Sequence, residues 1–312
     1  MNKTVIGLLC GLAAAPIWGA MYVVSKVVLE VIPPFTLLAI RLILGALVLG
    51  IVVVMRGKTT FTKRQFIDSF LVGIVGYGIS LGFQFVGTKL STASNGALVT
   101  SATPAFVLLF APFFLKEKAT ARGVIALAIS SLGVIAVIDP RTVNLSSSLF
   151  LGNLSLLAAA LTWALYSVLV RKVARSADLL ISSAIMLAGG IPSSILFGAF
   201  EVSKQGIGEI TIGIIGGILF LGIISTALAM FLWNYAFAKL PASVAPLTFF
   251  AQPVVGTILG WFFLGEKITP LFLLGGISHW SRTGHIQHRA IFKNSGGRLT
   301  KQWVECYTTN TS

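Results

Sequence analysis

Residues 93–120 read ASNGALVTSATPAFVLLFAPFFLKEKAT, and residues 242–269 read ASVAPLTFFAQPVVGTILGWFFLGEKIT. Laid side by side without gaps, 11 of 28 positions are identical, including Pro104/Pro253, Phe113-Phe114-Leu115/Phe262-Phe263-Leu264 and Glu117-Lys118/Glu266-Lys267. Each stretch is an apolar run long enough for a membrane helix, closed by a charged pair. A weaker echo joins Trp18 through Lys26 to Trp163 through Lys172. The chain is therefore an internal duplication of apolar segments.

Outward from these stretches the pattern continues. Of the 312 residues, 56% are hydrophobic and 10% charged, against roughly 25% charged in soluble domains. Apolar runs at about 5–29, 35–55, 66–87, 92–115, 121–138, 149–170, 178–200, 210–237 and 241–264 match the roughly 20 residues that one span needs. Backbone groups in lipid must be satisfied internally, so these runs are helices. The connections are short and carry breakers such as Pro33-Pro34, Arg56-Gly57-Lys58 and Asp139-Pro140. The fold class expected is an all-α polytopic membrane protein of two five-helix repeats, 5–138 and 149–277. An odd number of helices inverts the second copy across the bilayer, as in many transporters. With the N-terminus in the cytoplasm, Lys and Arg in the loops divide 12 inside to 4 outside, the bias that sets orientation. The net charge of +14 thus reflects topology, and no nucleic-acid partner is expected.

The motifs are more specific than the pattern. Pro16-Ile17-Trp18-Gly19 with Ser25-Lys26, Pro33-Pro34 followed by Arg41, and the two A-S…P…F-F-L-x-E-K-x-T segments together resemble the EamA family of the drug/metabolite transporter superfamily. The resemblance covers residues 5 to about 277. It implies ten helices in a 5+5 inverted repeat, and export of amino acids or other small metabolites, as in the YddG-type exporters. It implies no enzyme activity, a location in the cytoplasmic membrane, and partners limited to the bilayer and a small-molecule substrate. Oligomeric state and substrate identity are left open.

The chemistry-bearing residues fit that picture. All nine acidic residues (Glu30, Asp68, Glu117, Asp139, Asp178, Glu201, Glu209, Glu266, Glu305) fall at helix ends, in loops or in the tail. A carboxylate deep in the membrane is costly and usually functional, and proton-coupled exporters of cations use one. No span contains histidine, and the two cysteines, Cys10 and Cys306, are far apart, so no metal or cofactor site is expected. The spans hold neutral polar and aromatic groups instead: Trp18, Tyr22, Tyr77, Gln84, Asn95, Thr100, Trp163, Tyr166, Trp233, Asn234 and Gln252. These are candidates for a central cavity that hydrogen-bonds a zwitterion or neutral metabolite. The competing reading makes them interfacial belt residues and helix glue. Arg41 has two readings as well: it attracts an anionic substrate group, or it snorkels to the outer headgroups. Lys26 is expected to snorkel. Glu117-Lys118 and Glu266-Lys267 are expected to pin the two repeats rather than to gate. Pro104 and Pro253, in matching helices, are expected to kink them near a binding site.

The second copy ends differently from the first. After Thr269 a tenth span begins at Pro270 and fails near 277, and residues 278–312 form a polar, basic tail holding all three histidines. Shifting the reading frame of Ser278 to Phe292 by one nucleotide restores an apolar stretch, so the tail is expected to be an out-of-frame helix ten. The alternative is a native basic tail that binds lipid headgroups. Beside export, two other readings stand: a nucleotide-sugar or phosphosugar exchanger, which calls for several cations at the midplane, and a non-functional variant lacking helix ten.

Overall fold

The computed structural model describes residues 3–57, 60–100, 102–115, 147–240 and 244–266. The first half holds α1 (Lys3–Val31), α2 (Pro34–Arg56), α3 (Lys63–Leu90), α4 (Ala93–Thr100) and α5 (Thr103–Leu115). The second holds α6 (Ser148–Val173), α7 (Leu179–Gln205), α8 (Ile212–Lys239) and, after a 3₁₀ stretch Ala245–Phe250, α9 (Ala251–Leu264). Among the described residues seven segments are long and apolar enough to cross a membrane, with α4 and α5 counted as one. The chain is a multi-pass membrane protein. The expected span at 121–138, the Glu117-Lys118 pair, the start of a tenth helix and the tail 278–312 lie outside the described residues.

Local chemistry sets the helix boundaries. Pro34 opens α2, where its missing N–H costs nothing. Thr62 and Gln65 form a reciprocal capping box at α3. The Asp178 carboxylate accepts the N–H groups of Leu180 and Ile181 at the start of α7, and also pairs with Arg56 at 2.9 Å. Two carboxylates cap helices across the halves. Glu201 near the end of α7 accepts the Phe35 and Thr36 N–H groups at 2.7 and 3.1 Å. Glu266, just past α9, accepts the Ala93 N–H at 2.6 Å and the Ser94 N–H at 2.9 Å, placing negative charge where the α4 dipole is positive.

The outer surface is apolar. Leu47, Val54, Met55, Phe113, Ile212 and Phe262 are all more than half exposed, as side chains facing lipid should be. Inside, small residues let helices close on one another. A Cβ added at Gly19 of α1 would lie 2.7 Å from the Gln252 carbonyl of α9, and one at Gly190 of α7 would lie 2.7 Å from Tyr77 of α3.

Two expectations about backbone and charge are corrected. Neither Pro104 nor Pro253 kinks a helix from its interior. Pro104 is the second residue of α5 and Pro253 the third of α9, so each restarts a helix after an interruption, in the first turn where proline is tolerated. Lys26 does not reach for headgroups. Its ammonium donates to the carbonyls of Thr88 at 3.2 Å and Lys89 at 2.8 Å, and to that of Ser91, because the end of α3 presents unpaired carbonyls beside it.

Two departures from α geometry were not expected. Ile74–Ser80 in α3 and Phe220–Leu228 in α8 are π-helical. Each lies in the third helix of its half, and the α-helices that follow, 10 and 11 residues long, end at Lys-Leu pairs: Lys89-Leu90 and Lys239-Leu240.

Candidate substrate cavity

Trp18 stands at the centre of the molecule, 3% exposed. Its ring lies 5.6 Å from that of Trp163 at an interplanar angle of 87°, and 5.3 Å from that of Trp233 at 61°. These are edge-to-face contacts, the arrangement that indole quadrupoles favour. The Trp18 indole N–H donates to the Ser225 carbonyl at 3.1 Å, within the π stretch of α8. The Trp233 indole donates to the Ser167 hydroxyl at 3.2 Å. The Trp163 indole N–H, also buried, has no acceptor among the described residues.

A cavity opens beside this cluster. From the first half it is lined by Trp18, Met21 and Tyr22 of α1, Leu81 and Gln84 of α3, and Thr100 and Thr103 at the break between α4 and α5. From the second half come Ala159, Ala160 and Trp163 of α6, Met230 of α8, Phe249 of the 3₁₀ stretch and Gln252 of α9. Among the described residues no charged side chain lines it. Its free space, ≈ 20 Å³, holds about one water molecule.

One wall is a hydrogen-bond chain. The Thr100 hydroxyl donates to the Gly96 carbonyl at 2.6 Å. It therefore accepts from the Tyr22 hydroxyl at 2.8 Å and from the Gln252 amide at 2.8 Å. A second network lies behind Trp163. Tyr166 donates to the Asn234 Oδ1 at 2.8 Å, so Tyr77 donates to Tyr166, 2.5 Å away. The Asn234 amide reaches the Ser183 hydroxyl at 3.0 Å and the Tyr77 hydroxyl at 3.5 Å. All these groups are buried, and pairing them removes the penalty of unsatisfied polar atoms.

Arg41 is fully buried, and is the one charged residue among the buried described residues. The snorkelling reading is thereby excluded: the side chain runs inward. Its Nε donates to the Thr226 hydroxyl at 2.8 Å and its Nη2 to the Ser225 hydroxyl at 3.3 Å. Its Nη1 meets the Met21 sulfur at 3.5 Å, and the guanidinium lies 4.9 Å over the Phe85 ring.

Of the candidate residues, Trp18, Tyr22, Gln84, Thr100, Trp163 and Gln252 come together around the cavity. Arg41 stands one thioether away. Tyr77, Tyr166, Trp233 and Asn234 make the packing behind it rather than its lining. Asn95 is elsewhere, bonded to Asn153 and Ser91 near the helix ends, because it falls in the first turn of α4 and not at its inner end. Met21 and Thr103 were missed. Met21 is three residues after Trp18, one helical turn away on the same face, which was the available signal.

Comparison with known proteins places these features in context. The model of the EamA-like transporter family matches residues 5–138 and 150–278. The uncharacterized transporter YoaV of Bacillus subtilis is 24% identical over 278 residues, covering 89% of this chain and 94% of YoaV. A probable amino-acid metabolite efflux pump of Salmonella typhimurium is 26% identical over 275 residues, covering 84% of this chain and 88% of the pump. A crystal structure superposes with a TM-score of 0.68 at 19% identity, over 91% of this chain and 98% of its own, which shows the same fold.

Proposed function

The chain belongs to the EamA-like transporter family, and on that footing we propose that it exports amino acids or related small metabolites by alternating access. The two halves, 5–138 and 149–277, act as the moving bodies. The observation that carries this reading is the cavity itself: a small chamber walled by side chains of both halves, with no carboxylate in its lining among the described residues. A chamber with room for one water cannot hold a metabolite. The conformation described is therefore a closed one, and loading requires α1, α3 and α6 to part on one side. Aromatic walls and neutral hydrogen-bonding groups suit a zwitterion with an apolar body, while a cation would find no counter-charge. The Salmonella relative, a probable amino-acid metabolite efflux pump, supports the same substrate class.

Reconstitution into proteoliposomes tests it. Vesicles loaded with a pooled amino-acid panel should lose a subset of it faster with the protein than without. Equal loss of every compound, with and without a proton gradient, overturns the proposal.

A further inference from the structure

Beside the cavity two side-chain donors converge on one weak acceptor. The Met21 sulfur receives the Arg41 Nη1 at 3.5 Å and the Gln84 Nε2 at 3.4 Å. A thioether is a weak acceptor, yet here it faces a guanidinium and an amide. Arg41 carries five N–H donors, and three of its contacts are to two hydroxyls and this sulfur. Among the described residues no carboxylate hydrogen-bonds or ion-pairs with it. A buried guanidinium without an anion is expensive. The indole N–H of Trp163, which lines the same cavity, is buried with no acceptor among the described residues.

We propose that Met21 is a placeholder and that the place it holds is a carboxylate subsite: the substrate carries a carboxylate group on an apolar or aromatic body. When the cavity opens, the flexible Met21 side chain swings away. One substrate oxygen then takes the Arg41 and Gln84 donors, and the indole N–H of Trp163 serves the other. The body lies against Trp18, Phe249 and Met230. One buried cation matches one negative charge, whereas a phosphate ester brings nearly two.

The inference rests on the transport reading of the cavity, but binding can be measured without transport. The full chain, purified in detergent, is titrated with 3-phenylpropionate, its amide and 2-phenylethylamine, with phenyl phosphate as a further anion. Binding is read calorimetrically. A charge-assisted pair in place of a neutral one should favour the carboxylate over the amide about tenfold. Arg41→Gln should bring that ratio to about one. Arg41 ties α2 to α8, so a variant that spares it is needed as well. Met21→Glu puts a carboxylate of the protein where the sulfur is. It should abolish phenylpropionate binding while the folded fraction, measured by size exclusion, stays at the parent's level. Amide or amine binding as tight as the acid, no binding of the acid, preference for phenyl phosphate, or Met21→Glu that still binds phenylpropionate would each overturn the subsite. Tight acid binding in a protein that moves no amino acid would instead overturn export and leave the subsite standing.

Discussion

Trp18 and Trp163, which occupy matching places in the two halves, meet edge to face with ring centroids 5.6 Å apart. The two stretches that echo each other in sequence thus meet at their tryptophans. Both rings line the cavity, so truncating either removes an aromatic contact worth about 0.5–1.5 kcal/mol beyond area burial. Trp18→Ala and Trp163→Ala should each lower export partially, with membrane abundance close to normal. Loss of abundance in place of transport would assign the pair to packing alone.

Trp163→Phe makes a finer test. It keeps an aromatic ring, trims the bicycle and removes the indole N–H, which has no acceptor among the described residues. Folding should be much less affected than by Trp163→Ala, since no hydrogen bond is broken and most of the ring remains. Transport should fall a few-fold, the effect of about one lost hydrogen bond. An unchanged transport rate would show that the group never meets the substrate.

Orientation is testable at two exposed residues in last helical turns, Glu30 of α1 and Lys172 of α6. If the halves are inverted, these two helix ends face opposite sides. In a chain with its native cysteines replaced by serine, Glu30→Cys should react with an impermeant maleimide on intact cells, and Lys172→Cys should react only after lysis. Reaction of both from outside would contradict the inversion.

Glu266 joins the halves by accepting N–H groups of Ala93 and Ser94. Glu266→Ala orphans both donors and should cost about 1–2 kcal/mol of stability, read as a lower midpoint of thermal unfolding. Glu266→Gln retains an acceptor and should keep most of the stability and measurable transport. Complete loss of transport in well-folded Glu266→Gln would reveal a functional acid that the capping role does not explain.

Tyr166 is the hub of the inner network. Tyr166→Phe leaves the Tyr77 hydroxyl without its 2.5 Å partner and the Asn234 carbonyl without its 2.8 Å donor. Stability should fall by about 1–2 kcal/mol, more than for a half-buried Tyr235→Phe control.

Membrane class and the positions of most spans were legible because lipid imposes a coarse, long-range pattern on sequence. Trp18, Tyr22, Gln84, Trp163 and Gln252 were legible as cavity candidates for a related reason: polar or aromatic groups stand out against aliphatic neighbours. Met21 did not, since a methionine in an apolar run carries no contrast, and its importance lies in which donors face it. Arg41 could extend either way from its position, and only the hydroxyls of Ser225 and Thr226, far along the chain, draw it inward. The role of Pro104 depended on knowing that α4 ends at Thr100. A proline a few residues earlier or later than a break reads the same in sequence.

The paired π stretches carry a consequence for the cavity. A π turn contains one residue more than the α turn it replaces, so the faces of the helix beyond it are turned relative to those before it. The lining residues that α3 and α8 supply, Leu81, Gln84 and Met230, all lie just beyond such a stretch. Deleting one residue from either stretch would turn them about 100° around the helix axis, and the chamber would lose that part of its wall.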